Sequence, residues 1–213
     1  MKKILAFFLF ALLIFSGPVL AEEVVVSVQD YELTRSEFLE TSQQMKAQLE
    51  APEEVTSEEV DLYITNTIIE DFIVNSLIRI DIEIRDLQVD DELVEEELNS
   101  FLEDIVSQQD PESKEEALAQ IESEYGLTEN DLKETIRDNL SYQKLQLFYL
   151  EKAQSDMTQQ DIEADYSDYL DGGGELSLED FTEREVMQEV NRLMQERVNY
   201  LYQELEGEIE VNL

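Results

Sequence analysis

The chain has 213 residues, 53 of them Asp or Glu against 14 Lys or Arg, for a formal charge of −39 at pH 7. Such a charge repels nucleic acid and anionic membrane and opposes compaction. With no histidine and no cysteine, Ser-His-Asp and Cys-His catalysis, zinc fingers, histidine-based metal sites and disulfides are all excluded.

Apolar residues make up 42% of the chain, enough for a core in spite of the charge, and the length suits one domain. The acids are spread along every helical segment and do not form one block. We read this as adaptation to high salt, where the Debye length shrinks to about 3 Å at 1 M, in preference to an acidic patch for basic clients.

Met1 to Ala21 has the form of a signal peptide, with Lys2 and Lys3 ahead of an apolar run from Ile4 to Phe15 and a small-residue cleavage pattern at Val19-Leu20-Ala21. Its apolar run is shorter than the roughly 20 residues of a spanning helix. Export follows as an expectation, to a periplasm or the cell envelope, with no stable membrane insertion after cleavage and no cysteine for a lipid anchor. Residues 22–213 are then one domain.

Val24 to Val28 is a strand whose alternation places Val24, Val26 and Val28 on one face. Gln29-Asp30 turns the chain, Tyr31 to Leu33 resumes an extended path, and Thr34 with Glu37 makes a T-x-x-E capping box for a helix running to Leu49, ended by Ala51-Pro52. Thr56 with Glu59 caps a long helix from about Ser57 to Asp86. Its Val60, Ile64, Ile68 and Phe72 stripe lies beside Ile69, Ile73, Leu77, Ile80 and Ile84, so it is covered on several sides. Asp90 or Asp91 starts a third helix, Pro111 opens a fourth that closes at Gly126, and Thr128 with Asp131 caps a fifth with Leu132, Ile136, Leu140 and Leu147 on one face. Thr158 with Asp161 starts a sixth. A returning helix capped by Ser177 and Asp180 has Val186, Val190, Leu193, Leu201 and Leu205 along its seam and ends at Gly207; Ile209, Val211 and Leu213 then alternate as a closing strand. The expected fold is mainly α, an elongated multi-helix domain with a two- or three-stranded β element that pairs the N- and C-terminal strands.

The strand, turn and T-R-S-E-F helix start of Val24 to Phe38 resemble the N-terminal chaperone domain of the SurA and PrsA family of extracytoplasmic folding factors, whose opening reads V-x-x-V-N-G followed by I-T-x-x-E-F. Here Gln29-Asp30 stands for Asn-Gly and Leu33 for Ile. A second likeness is the string Gly126, Leu127, Thr128, Leu132, Ile136, Arg137, Leu140, Gln143, Lys144 and Leu145, similar to a helix that recurs in the family. The resemblance implies an ATP-independent chaperone for unfolded exported polypeptides. It also implies that a parvulin-type prolyl isomerase domain belongs between the sixth and returning helices, where this chain has only the five residues Asp171 to Glu175. An isomerase site built on histidines is absent in any case, so no enzyme activity is expected.

No cofactor and no metal are called for. Asp165, Asp168 and Asp171 lack the alternating spacing of a calcium loop, and paired carboxylates carry no specificity among 53 acids. Client contacts would fall on surplus aromatic and methionine side chains such as Tyr200 and Tyr202, and above all on Phe148, Tyr149, Tyr166, Tyr169, Met187 and Met194, since such side chains suit promiscuous surfaces. Tyr166, Tyr169, Met187 and Met194 lie near the shortened loop, where a cradle could open. The alternative is a non-chaperone interaction or scaffold protein of envelope assembly.

Overall fold

The computed structural model describes residues 23–49, 56–108 and 113–212. The export segment, Ala51-Pro52, Pro111 and Leu213 lie outside the described residues.

β1 (Val24–Val28) and β2 (Tyr31–Thr34) form an antiparallel hairpin in which Val28 opposes Tyr31. Gln29 and Asp30 are thus a two-residue turn, and Gln29 takes φ +52°, a conformation that suits glycine or asparagine better. Strict alternation is broken, because the register slips between Val24 and Val26. Val25 and Val26 are consequently both buried, where an unbulged strand would turn one of them to solvent.

Seven helices follow among the described residues: α1 (Arg35–Gln48), α2 (Ser57–Ile84), α3 (Asp91–Gln108), α4 (Lys114–Tyr125), α5 (Glu129–Asp156), α6 (Gln159–Asp171) and α7 (Leu178–Glu204). Reciprocal capping boxes join Thr34 to Glu37, Thr56 to Glu59 and Thr128 to Asp131, satisfying N–H groups that a first turn leaves free. Ser177 caps α7 through the Asp180 N–H. The start of α4 differs from expectation: Ser113 is its N-cap, accepting from the Glu116 N–H. Its end is as read, with Gly126 left-handed at φ +73°. The returning helix stops at Glu204, and Gly207 lies in a short 3-10 turn, Glu206–Glu208. β3 (Ile209–Val211) then pairs antiparallel with β1, giving the sheet order β2-β1-β3. The two ends of the domain are joined in one sheet.

Three apolar cores lie within the fold. The first gathers the inner face of the sheet, α2 from Ile64 to Ile80, and Leu201 and Leu205 at the end of α7. A second joins Ile82 to Leu145, Tyr149 and Ala153 of α5 and to Val186, Val190 and Leu193 of α7. The third packs α3 and α4 against Leu127 and Leu132. At about 1.5 Å per residue, α2 is about 42 Å long; it and α7 bridge the first two cores, and α5 bridges the second and third. The fifth helix therefore does not keep the single face expected of it: Leu147 is 58% exposed, and the buried row moves to Ser141, Leu145, Tyr149 and Ala153.

Candidate functional site

The six side chains singled out for client contact do not form one surface. Tyr149 is 3% exposed and belongs to the second core, so its ring is packing and not a contact face. Phe148 and Met194 are partly buried against the same core. Phe148 meets Tyr149 edge to face at 5.3 Å and carries the Arg85 guanidinium over its ring at 4.2 Å. Met187 is 48% exposed on α7.

Tyr166 and Tyr169 are engaged at the α6–α7 turn. Their rings stack at 6.3 Å and both lean on buried Phe181, at 5.3 and 5.1 Å. Arg184 covers Tyr169 at 4.9 Å. The Tyr169 hydroxyl accepts the N–H groups of Glu175 and Leu176, and the Tyr166 hydroxyl donates to the Leu176 carbonyl. Those amides hold the Tyr169 phenol below its ordinary pKa, with the Leu176 N–H the largest influence. Gly174 lies so close to the Tyr169 ring that a Cβ there would come within 2.1 Å of it. The expected cradle is thus a closed turn, wrapped on its own tyrosines.

A polar centre that the sequence reading passed over sits where α2, α5 and α7 meet. Asp81 is 3% exposed inside the apolar stripe of α2. Its carboxylate accepts from Arg85 Nε at 2.9 Å, Tyr149 Oη at 2.8 Å and Arg197 Nε at 2.6 Å, and Arg85 also donates to Tyr149 Oη at 3.1 Å. Burial alone would raise the Asp81 pKa, but the hydrogen bonds from Arg85, Arg197 and Tyr149 outweigh it and hold the carboxyl below its usual range. The Tyr149 phenol is pushed up to about 12, by burial and then by the hydrogen bond to Asp81. Asp81 within the apolar run SLIRIDIEIR, with Arg85 four residues on, was the available signal.

A second ionic contact closes a groove of about 260 Å³ between the β1–β2 turn, α2 and α5. There Arg79 pairs with Asp138 and lies over the Tyr31 ring at 5.7 Å, while the Tyr31 hydroxyl donates to Glu83 at 2.8 Å. Burial, and then Glu83, raise the Tyr31 pKa. Each cation of the groove is occupied, since Arg137 pairs with Asp91 at 2.7 Å. Among the described residues no group of His, Cys, Asp or Glu is placed to hold a metal, and no helix is long and apolar enough to cross a membrane.

A helical body closed by a sheet from both ends of the chain, with its buried ions joining helices, defines a mainly helical domain with a terminal-strand clasp. The family model of the SurA-like N-terminal domain matches residues 1–146, and the chain belongs to that family. This is an extracytoplasmic family of chaperone type. No curated protein and no solved structure matches the chain.

Proposed function

We propose that the protein is an exported, ATP-independent holdase that binds unfolded or extended segments of secreted or envelope polypeptides and has no prolyl isomerase activity. The observation that carries this reading is its membership of the SurA-like N-terminal domain family over residues 1–146. Apolar side chains left open on α1 and α2, among them Leu39, Leu62 and Tyr63, supply surface of the kind that transient client contacts need. The lack of any histidine, and the direct turn from α6 to α7 through Gly172 to Leu176, favour a binding role without isomerase chemistry. Met1 to Ala21 would be the export signal, and the acidic surface would suit high salt.

Two experiments test this reading. Equimolar protein in molar salt should suppress aggregation of a chemically unfolded client; an unchanged light-scattering trace defeats the holdase assignment. The thermal midpoint should rise between low and molar salt as self-repulsion is screened, and a flat or falling midpoint removes the salt-adaptation argument.

A further inference from the structure

Among the described residues β3 is an end strand of the sheet, and no strand pairs with its outer edge. The Gln29 N–H donates to the Glu208 carbonyl at 3.3 Å and the Asn212 N–H to the Val25 carbonyl at 2.7 Å, with Ser27 opposite Glu210 between them. In an antiparallel ladder this spacing makes Ser27 and Glu210 the pair that exchanges both hydrogen bonds. The N–H and C=O groups of Ile209 and Val211 therefore point away from β1. Among the described residues β1 is the only strand that β3 pairs with. The opposite edge of the sheet, β2, runs straight into α1.

The two faces of this edge differ in chemistry. Ile209 and Val211 share the face of Val28 and Val26; Ile209 packs on the first core, and Val211 is 46% exposed at its rim. On the other face Glu210, Ser27 and Glu32 stand in a row across the three strands. They line an open depression of about 600 Å³, with Asp30 and Glu208 beside them and no basic residue in its wall. A second copy of this chain would bring a like row of carboxylates against the first, which disfavours edge-to-edge pairing. A strand with basic side chains meets the opposite field.

We propose that the free edge of β3 takes an added strand, an extended segment of an unfolded polypeptide in which apolar residues alternate with lysine or arginine. Backbone groups of Ile209 and Val211 hydrogen-bond the incoming main chain, its apolar side chains extend the shelf begun by Val211, and its basic side chains lie beside Glu210. This is recognition by β-augmentation, in which main-chain bonds give affinity and alternate side chains give selectivity. It rests on the chaperone reading and names the class of segment that the chaperone would prefer.

The decisive variant is Val211→Pro. Its lost N–H is the outward one, so the bonds to β1 remain, and proline is tolerated on an edge strand where that N–H faces solvent. An unchanged thermal midpoint checks the fold. The probe is a short synthetic peptide of alternating valine and lysine, with an N-methylated twin and a valine–glutamate twin. Wild type should bind the valine–lysine peptide about tenfold or more tightly than Val211→Pro does, bind neither twin comparably, and show new amide protection at Ile209 and Val211. Equal affinity of the two proteins, or protection elsewhere only, overturns the proposal. So does a peptide-independent dimer that Val211→Pro dissociates, which would give the edge to a second copy. If wild type and Val211→Pro protect an unfolded client equally well, the edge assignment fails while the holdase stands; if wild type protects no client, the holdase reading fails on its own assay.

Discussion

Replacing Asp81 by alanine tests whether the buried carboxylate holds the two halves of the helical body in register. The change removes three hydrogen bonds, two of them from guanidinium groups, and strands Arg85 and Arg197 beside an apolar core. Breaking a well-buried ion pair from one side costs about 3–5 kcal/mol. Both arginine side chains are 23% exposed, so water relieves part of that cost, and about 3–4 kcal/mol is expected. With about 2–4 °C per kcal/mol for a domain of this size, the thermal midpoint should fall by about 6–16 °C. Urea denaturation of Asp81→Ala, Arg197→Ala and the double variant gives the coupling directly, expected at about 1–3 kcal/mol. A loss below about 1 kcal/mol for Asp81→Ala, or additive single effects, would refute the view that the centre is a structural lock. The pH dependence supplies an independent check. The folded-state pKa of Asp81 is lowered, so the unfolded chain binds the proton first, and the stabilisation present above about pH 4 is lost as pH falls through the folded-state value. The stability gap between wild type and Asp81→Asn should accordingly hold steady from pH 7 to about 5 and narrow below about 4.

Three further changes probe separate parts of the fold. Tyr149→Phe removes the hydroxyl that links Asp81 and Arg85 and should cost about 1–2 kcal/mol in urea unfolding. Because the phenol titrates at about 12 when folded, its contribution should persist up to about pH 10 and fade above it. Gln29→Gly relieves a left-handed φ and should raise stability by about 0.5–1 kcal/mol after the added freedom of the unfolded chain is deducted; a lower thermal midpoint would contradict the turn geometry. Gly174→Ala forces the Tyr169 ring aside, a change expected to cost about 1–3 kcal/mol. It should also raise amide exchange at Glu175 and Leu176, whose N–H groups Tyr169 holds, and undisturbed exchange there would contradict the wrapped turn.

Local signals in the sequence carried most of the fold. Capping residues at Thr34, Thr56, Thr128 and Ser177 act within one turn of helix, so their chemistry is complete in four residues and the structure places each as read. The double stripe of α2 was legible because that helix is covered along most of its length, and it fails only at the C-terminal end, where Ile84 is 60% exposed. Where burial depends on distant partners, the pattern misled. On α5 the stripe Leu132, Ile136, Leu140 extrapolates to Leu147, yet the helix changes partners midway, from α3 and α4 to α2 and α7, and the buried row rotates to Leu145 and Tyr149. Tyr149 could not be told from a contact residue by type alone, since the groups that meet its hydroxyl arrive from residues 81 and 85 and its core is completed by α7. The bulge at Val24 to Val26 was equally hidden, because alternation gives a face and the partner strand sets the register.

The centre at Asp81 also explains why the domain reaches past the residues that mark its family. Asp81 and Arg85 lie within the matched stretch of residues 1–146, whereas Tyr149 and Arg197 lie beyond it. Without the later residues Asp81 would lose Tyr149 and Arg197 and keep Arg85 as its basic partner, and β1 would lose the strand that covers its second edge. The matched stretch alone therefore leaves the carboxylate with one of its three partners and the central strand with an open edge, which is unfavourable in a folded body. Arg197 and β3 resolve the two problems at successive positions along one segment, since α7 enters the second core at Val186, reaches Asp81 with Arg197, joins the first core at Leu201 and delivers β3 to the sheet. That order ties the exposed edge of β3 to the most buried charge in the described structure, so loosening α7 at the acid should free the edge strand before it disturbs the third core, which α7 does not touch.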